Sequence, residues 1–150
     1  MEEQLVVFLL NEQLYGINIS QVLEIIRPTG VTVLPGTPDF IEGVINLRGT
    51  VIPVMDLARR FGLSSGQATE EQRVVIVESA GVKVGLLVDG VSEVLRVTGQ
   101  QIQPPPAAGL VGGVECIRGI ALLENRMIIL LDMNKVLQVG ERQKLLELAN

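Results

Sequence analysis

The 150-residue chain has no histidine, no tryptophan and a single cysteine, Cys116. Without an imidazole, Ser-His-Asp and Cys-His nucleophiles, histidine-ligated metal sites and histidine acid–base chemistry are excluded. One cysteine can make neither an internal disulfide nor a multi-cysteine zinc site, which agrees with a reducing compartment. No Walker-type glycine loop leading into Lys-Ser/Thr occurs, and no Gly-x-Gly-x-x-Gly follows a strand pattern, so neither common nucleotide signature is present. The longest apolar stretches, such as Met127 to Leu131, are far too short to cross a bilayer. Met1-Glu2-Glu3 is an acidic opening rather than the basic start of a secretory signal, so a cytoplasmic protein is expected. The net charge is −5, and no Lys/Arg cluster with interleaved aromatics appears. That argues against nucleic acid and against a polybasic membrane contact. The expected partner is another protein, with no cofactor and no metal.

What the chain does have is aliphatic. Apolar residues make up 47% of it, yet only 3% are aromatic. The excess lies in Val, Ile and Leu, which suit a pleated, half-buried surface. Strand patterns recur at Leu5–Leu10, Leu14–Ile17, Gly43–Leu47, Val51–Val54, Arg73–Glu78, Val82–Val88, Glu93–Val97, Gly119–Leu123 and Met127–Leu131. Turn chemistry separates many of them, at Asn11-Glu12-Gln13, Arg48-Gly49, Ala80-Gly81 and Glu124-Asn125. Many short strands at hairpin spacing indicate small barrels or a sandwich.

The pattern also repeats. Gly16 to Ile25 has an ungapped echo in Gly85 to Val94, with Gly, Val and Glu at the same three places. Ile41 to Leu57 is echoed, in the same order along the chain, by Ile117 to Met133. In both copies Gly leads a strand, a hairpin follows, and the second strand ends in an Asp where a helix N-cap belongs. Short helices are expected after Asp56 and Asp132, over Leu57–Phe61 and Met133–Leu137. The sequence thus predicts one mainly β domain over 1–150, made of two packed five-stranded barrels: 14–72, then 73–137, with 4–10 pairing with either. Gly62 to Gln72 reads as the connector and Gln103 to Gly113, with three consecutive prolines, as a surface loop. Residues 140–150 carry good helix formers and an apolar stripe, predicting a C-terminal helix.

Carboxylates are the one catalytic set left: Glu24, Glu42, Asp56, Glu78, Asp89, Glu93, Glu115, Glu124 and Asp132. Asp56 and Asp132 read as caps, and Glu24 and Glu93 occupy equivalent repeat positions that suggest structural pairing. An enzyme is not expected; it would need two acids facing one cleft.

Three segments resemble the CheW family of chemotaxis coupling proteins. They are Tyr15-Gly16-Ile17-Asn18-Ile19 with Val22-Leu23-Glu24-Ile25, then Phe40 through Gly49 running on to Leu57, and Val84 through Val91. The Gly43-Val-Ile-Asn-Leu-Arg-Gly49 stretch is the most specific. Asn18 stands where Asp is common in the family and keeps a short turn-forming side chain. The resemblance implies two SH3-like five-stranded barrels and an adaptor linking the helical cytoplasmic tips of chemoreceptors to the regulatory domain of the histidine kinase CheA. That places the protein at receptor arrays on the inner face of the membrane.

A receptor helix needs an apolar groove, and the seam between barrels offers one. Ile19, Val22, Gly43, Val91 and Val94 are the candidates for it. Gly43 either allows a partner helix or an adjacent strand to approach closely or serves plain hairpin geometry. Val31, Leu34 and Pro35 are the candidates for the kinase face. Arg48 either pairs with Glu24, fixing the hairpin against a helix-like turn, or faces the kinase; the structural pair is preferred. Two alternatives stand beside the adaptor: a small-ligand-binding barrel with its pocket in the seam, and a coupler for a CheA-like kinase with another output.

Overall fold

The computed structural model describes residues 2–63, 68–79, 81–105 and 116–136. Eleven strands run in chain order: β1 Glu2–Leu10, β2 Gln13–Asn18, β3 Val22–Ile26, β4 Ile41–Leu47, β5 Thr50–Asp56, β6 Arg73–Ser79, β7 Val82–Val88, β8 Gly90–Thr98, β9 Ile102–Gln103, β10 Ile117–Leu123 and β11 Arg126–Leu131. Helices α1, Leu57–Arg60, and α2, Met133–Val136, follow β5 and β11. The strands form a six-stranded sheet ordered β8-β1-β2-β11-β10-β9 and a five-stranded sheet ordered β3-β6-β7-β5-β4.

Each sheet rolls around its own inner core. In the first, Leu95 and Val97 of edge strand β8 pack on the same cluster as Ile102 of the opposite edge strand, with Leu5, Val7, Ile128 and Leu130 between them. In the second, Ile26 of edge strand β3 and Ile45 of edge strand β4 share a cluster with Val54, Val74 and Ile76. Two edges can meet on one cluster only if the sheet curls, so both sheets are small barrels. The third and largest core lies between them. It takes the alternate residues of the same strands: Val6, Phe8 and Leu10, Tyr15 and Ile17, Val75 and Val77, Val84, Leu86 and Val88. Period-two alternation thus sends one face of each central strand into its barrel and the other into the seam.

The repeat is present, but the barrels divide the chain differently from the 14–72 and 73–137 split. Residues 22–88 build the five-stranded barrel, whereas β1 and β2 join β8 to β11 in the other. The two copies therefore exchange their first hairpins. The cause is a pair of equivalent parallel contacts, Leu130 opposite Gly16 and Val54 opposite Gly85. A Cβ at Gly16 would lie 3.2 Å from Ile128 Cγ2 on the crossing strand β11, whereas one at Gly85 would lie 2.6 Å from Val74 Cγ1 on its own hairpin partner β6.

Other local expectations divide. Asp56 caps α1 by accepting the Arg59 N–H at 3.3 Å, and Asp132 accepts the Asn134 N–H at 3.0 Å. The helix-like turn around Glu24 is instead a short 3-10 turn, Ile19–Gln21, followed by strand β3. Val22-Leu-Glu-Ile-Ile26 pairs with β6, where its β-branched residues pack better than on a helix. The predicted C-terminal helix at 140–150, the loop beyond Pro105, Glu115 and the last residue of Met133–Leu137 lie outside the described residues.

Candidate protein-docking site

β3 and β8 are equivalent in the repeat, and each is the edge of its sheet beside the seam. Val94 lies opposite Val6, which lies opposite Ile17; Ile25 lies opposite Val75, which lies opposite Leu86. Val6, Ile17, Val75 and Leu86 are buried in the seam core. Val94 and Ile25 continue these rows outward and are 51% and 39% exposed. The seam therefore ends in an open aliphatic margin on each barrel.

Of the five groove candidates, Ile19 and Val94 are exposed, and Val22 and Val91 are half-buried against the seam core. Gly43 is buried and presents nothing to a partner. A Cβ there would stand 2.1 Å from the backbone oxygen of Thr32. An adjacent segment is what approaches Gly43: Thr32 and Val44 exchange N–H to C=O bonds of 2.8 and 2.9 Å across this contact. The kinase candidates also divide. Val31 is half-buried against the inner core of its barrel, Leu34 is half-buried and Pro35 is exposed. Their neighbour Val33 is 76% exposed.

Arg48 pairs with Glu24, as preferred, through two guanidinium-to-carboxylate contacts. Arg48 sits in the β4–β5 turn with φ 51°, a conformation more usual for Gly or Asn. The hydrogen bond from Arg48 holds the Glu24 carboxyl below the ordinary carboxylate range. Glu93, the repeat equivalent of Glu24, pairs in turn with Arg126 at the start of β11. Each barrel thus has one Glu–Arg clasp running from its seam-edge strand to the hairpin beyond.

The exposed apolar residues follow the same repeat. Ile25 corresponds to Val94 and Val51 to Met127, and all four are well exposed. Leu23 and Leu122 add to the margins without counterparts. Residue type alone does not distinguish these positions from core aliphatics. The usable signal was the strand register, which places them on outward faces.

One cleft of about 200 Å³ is lined by Glu42, Asp56 and Asp89, together with Arg59 and Gln72. Two of its acids already have structural partners, Asp56 as the α1 cap and Asp89 as acceptor of the Asn11 N–H at 2.9 Å. The seam, the expected pocket of a small-ligand barrel, is filled by Phe8 stacked on Tyr15 and by Tyr15 on Phe61, with the flanking aliphatics.

Two packed small barrels are the architecture expected from the resemblance, and comparison with known proteins agrees. Residues 4–141 match the CheW-like domain. The chain belongs to the CheW-like family. It is 41% identical over 140 residues to the chemotaxis protein CheW of Klebsiella aerogenes, covering 93% of this chain and 84% of that one. It is 36% identical over 141 residues to the chemotaxis protein CheW of Bacillus subtilis, covering 94% and 90%. The scaffolding protein TtCheW of Thermoanaerobacter tengcongensis has a solved structure that superposes with a TM-score of 0.85 at 40% identity, over 94% of this chain and 91% of that one. Like these CheW-like proteins, the chain is a chemotaxis signalling component with a scaffold architecture.

Proposed function

We propose that the chain is a non-enzymatic adaptor that couples the helical tips of chemoreceptors to the regulatory domain of the CheA kinase. The observation that carries this reading is the repeat of exposed aliphatics, Ile25 with Val94 and Val51 with Met127, with a Glu–Arg clasp in each barrel. Core packing cannot explain side chains that face solvent, and their recurrence by two-fold repeat suits a protein that presents two faces. An aliphatic margin along the seam suits the apolar stripe of a helix; Ile19, Val94 and Ile25 are its contacts, with Val22 and Val91 behind them. The kinase meets the barrel ends, where Val33 and Pro35 stand out and Val31 and Leu34 support them from below. Contacts of about 1 µM, or about −8 kcal/mol each, suffice in an array, because linked sites raise avidity without new contacts. The protein acts in the cytoplasm, beneath the receptors. Nothing in the carboxylate cleft favours an enzyme, since two of its three acids already serve the fold.

Calorimetry of the full chain against the isolated CheA regulatory domain and against a receptor-tip fragment tests this. Val33→Asp should weaken the kinase domain and spare the receptor tip, and Val94→Asp should do the reverse. Both positions are exposed, so folding should survive. A folded wild-type chain that binds neither partner ends the adaptor reading.

A further inference from the structure

We infer that Asn18 is a positioning residue for receptor docking: held between Ser20 and Glu3, it turns the chain outward where β2 leaves its barrel, so that Ile19 meets the receptor helix instead of entering the seam core. The receptor as partner rests on the adaptor reading above; the positioning itself rests on a difference between the two places where the chain crosses from barrel to barrel, after β2 and after β7.

The repeat that aligns Gly16 with Gly85 aligns Asn18 with Leu87 and Ile19 with Val88. The strand registers keep the same alignment, Leu5 standing opposite Asn18 where Val74 stands opposite Leu87. At the second crossing the β6–β7 ladder runs one pair further, Arg73 opposite Val88, and Val88 is buried in the seam core. At the first crossing the β1–β2 ladder stops at Asn18, the 3-10 turn Ile19–Gln21 follows, and Ile19 is 36% exposed. Both residues are β-branched aliphatics, so the difference lies in what holds the backbone before them.

Asn18 supplies that hold. Its Oδ1 accepts the Ser20 N–H at 2.9 Å, capping the turn, and its Nδ2 donates to Glu3 Oε2 at 2.8 Å. The two partners fix the orientation of the amide, because an N–H needs its oxygen and a carboxylate needs its nitrogen. Glu3 lies two residues beyond Leu5 on β1, where no β2 residue pairs with it. The side-chain bond therefore continues a ladder that the backbone has left. From the other side Arg118 of β10 holds Glu3 through both carboxylate oxygens, at 3.0 Å each, a bidentate geometry that fixes direction. Leu87 can make neither of the bonds of Asn18, and Gln72 and Glu42 stand where Glu3 and Arg118 would be repeated. The device thus belongs to the one crossing whose aliphatic residue faces out.

The test is calorimetry of the full chain against a receptor-tip fragment and against the isolated CheA regulatory domain, using wild type, Asn18→Asp, and Asn18→Asp combined with Glu3→Gln. Asn18→Asp keeps the oxygen that caps Ser20 but sets a second carboxylate against Glu3. The double variant returns one carboxylate, one amide and one guanidinium to the cluster, with donor and acceptor exchanged. Both changes are isosteric, so folding should survive. Asn18→Asp should weaken the receptor tip about fivefold, the effect of roughly one hydrogen bond, and leave the kinase domain within about twofold of wild type. The double variant should recover most of the loss. Receptor binding by Asn18→Asp within about twofold of wild type, equal losses for both partners, or a double variant no better than the single one overturns the positioning and leaves the adaptor reading standing. If the wild-type chain binds no receptor tip, that reading falls, and a soluble paramagnetic probe decides the positioning alone. Relaxation of the Ile19 methyls by the probe should exceed that of Val88 in wild type, drop in Asn18→Asp and return in the double variant, which would retain the device for another partner. An Ile19 exposure unchanged by Asn18→Asp would overturn it.

Discussion

Gly43 illustrates how a docking phenotype can arise without a docking contact. In Gly43→Ala the new Cβ would meet Thr32 O at 2.1 Å, Thr32 C at 2.7 Å and Val31 Cγ1 at 3.0 Å. The first two are backbone atoms, so no rotamer relieves them, and the segment around Thr32 must withdraw by more than an ordinary packing adjustment. That breaks the two Thr32–Val44 hydrogen bonds, each worth about 1 kcal/mol. It also lifts Val31 off the inner core, where a fully buried valine would contribute roughly 1.5–3 kcal/mol and this half-buried one about half. Together these give a destabilisation of about 2–4 kcal/mol. The repeat supplies the control. At Gly119 a Cβ would meet Ile102 Cγ2 at 2.9 Å and Gln103 O at 3.0 Å. The nearer atom is a side-chain methyl that can rotate aside, so Gly119→Ala should cost about 1 kcal/mol. Urea unfolding followed by far-ultraviolet circular dichroism measures both, and amide exchange at Thr32 reports the local break. Equal losses in the two variants, or a Gly43→Ala chain with Thr32 still protected, would refute the steric account. If it holds, any loss of receptor binding in Gly43→Ala should track the loss of stability.

Three further outcomes follow from particular contacts. Reversing Glu24 or Arg48 alone should impair partner binding, and the double reversal should recover part of it; a double variant no better than its worse parent, by calorimetry, removes the structural pair. The Glu24 carboxyl should titrate lower in wild type than in Arg48→Gln by NMR, because the Arg48 hydrogen bond lowers its pKa. The sign follows: a depressed folded pKa gives stability that is present above the unfolded value and lost as pH falls through the folded one. The urea midpoints of wild type and Arg48→Gln should therefore converge in acid, and a gap that persists there contradicts the pairing. Amides of β1 and β6 should exchange with the same free energy, reporting one cooperative unit, and a barrel that opens by itself would show as a lower value on one side.

Much of this was legible in the sequence because it is local. Short runs rich in Val, Ile and Leu announced β1, β6 and β7 as strands, the Asp that ends a strand announced each cap, and the echo of Gly16 to Ile25 announced the two-fold repeat. Glu24 and Arg48 were paired by residue type and repeat position. What stayed hidden depends on long-range pairing. β1 meets β8 in a register that sets Glu2 against Thr98, and no pattern within either segment encodes that choice. Strand β3 was obscured because Val22, Ile25 and Ile26 also fit helical spacing. The groove and kinase candidates differ in exposure: Ile19 and Val94 reach solvent, whereas Gly43 faces Thr32 and Val31 packs inward. Val33, Val51 and Met127 have the same chemistry as their buried neighbours, and only the register turns them out.

The exchange of hairpins bears on how such an adaptor could pass a signal. The chain crosses between barrels after β2, through Ile19–Gln21, and again between β7 and β8, at Asp89. The Asp89 N–H donates to the Leu9 carbonyl at 2.9 Å, and its carboxylate accepts the Asn11 N–H at 2.9 Å, so this crossing is bonded to the β1–β2 hairpin of the other barrel. Tyr15 stacks between Phe8 and Phe61, joining both barrels through the seam core. A hinge needs a few residues that absorb backbone rotation and an interface that can open; here the crossings are short and the interface is the largest core among the described residues. The two barrels should therefore move as one body. In the proposed docking, a receptor helix that shifts on the aliphatic margin would displace the barrel ends with it, so that the kinase face would report a change of position instead of a change of shape. On that reasoning, substitutions at the exposed margins would alter which partner is held and how tightly, and substitutions in the seam would alter whether the two faces remain in register at all.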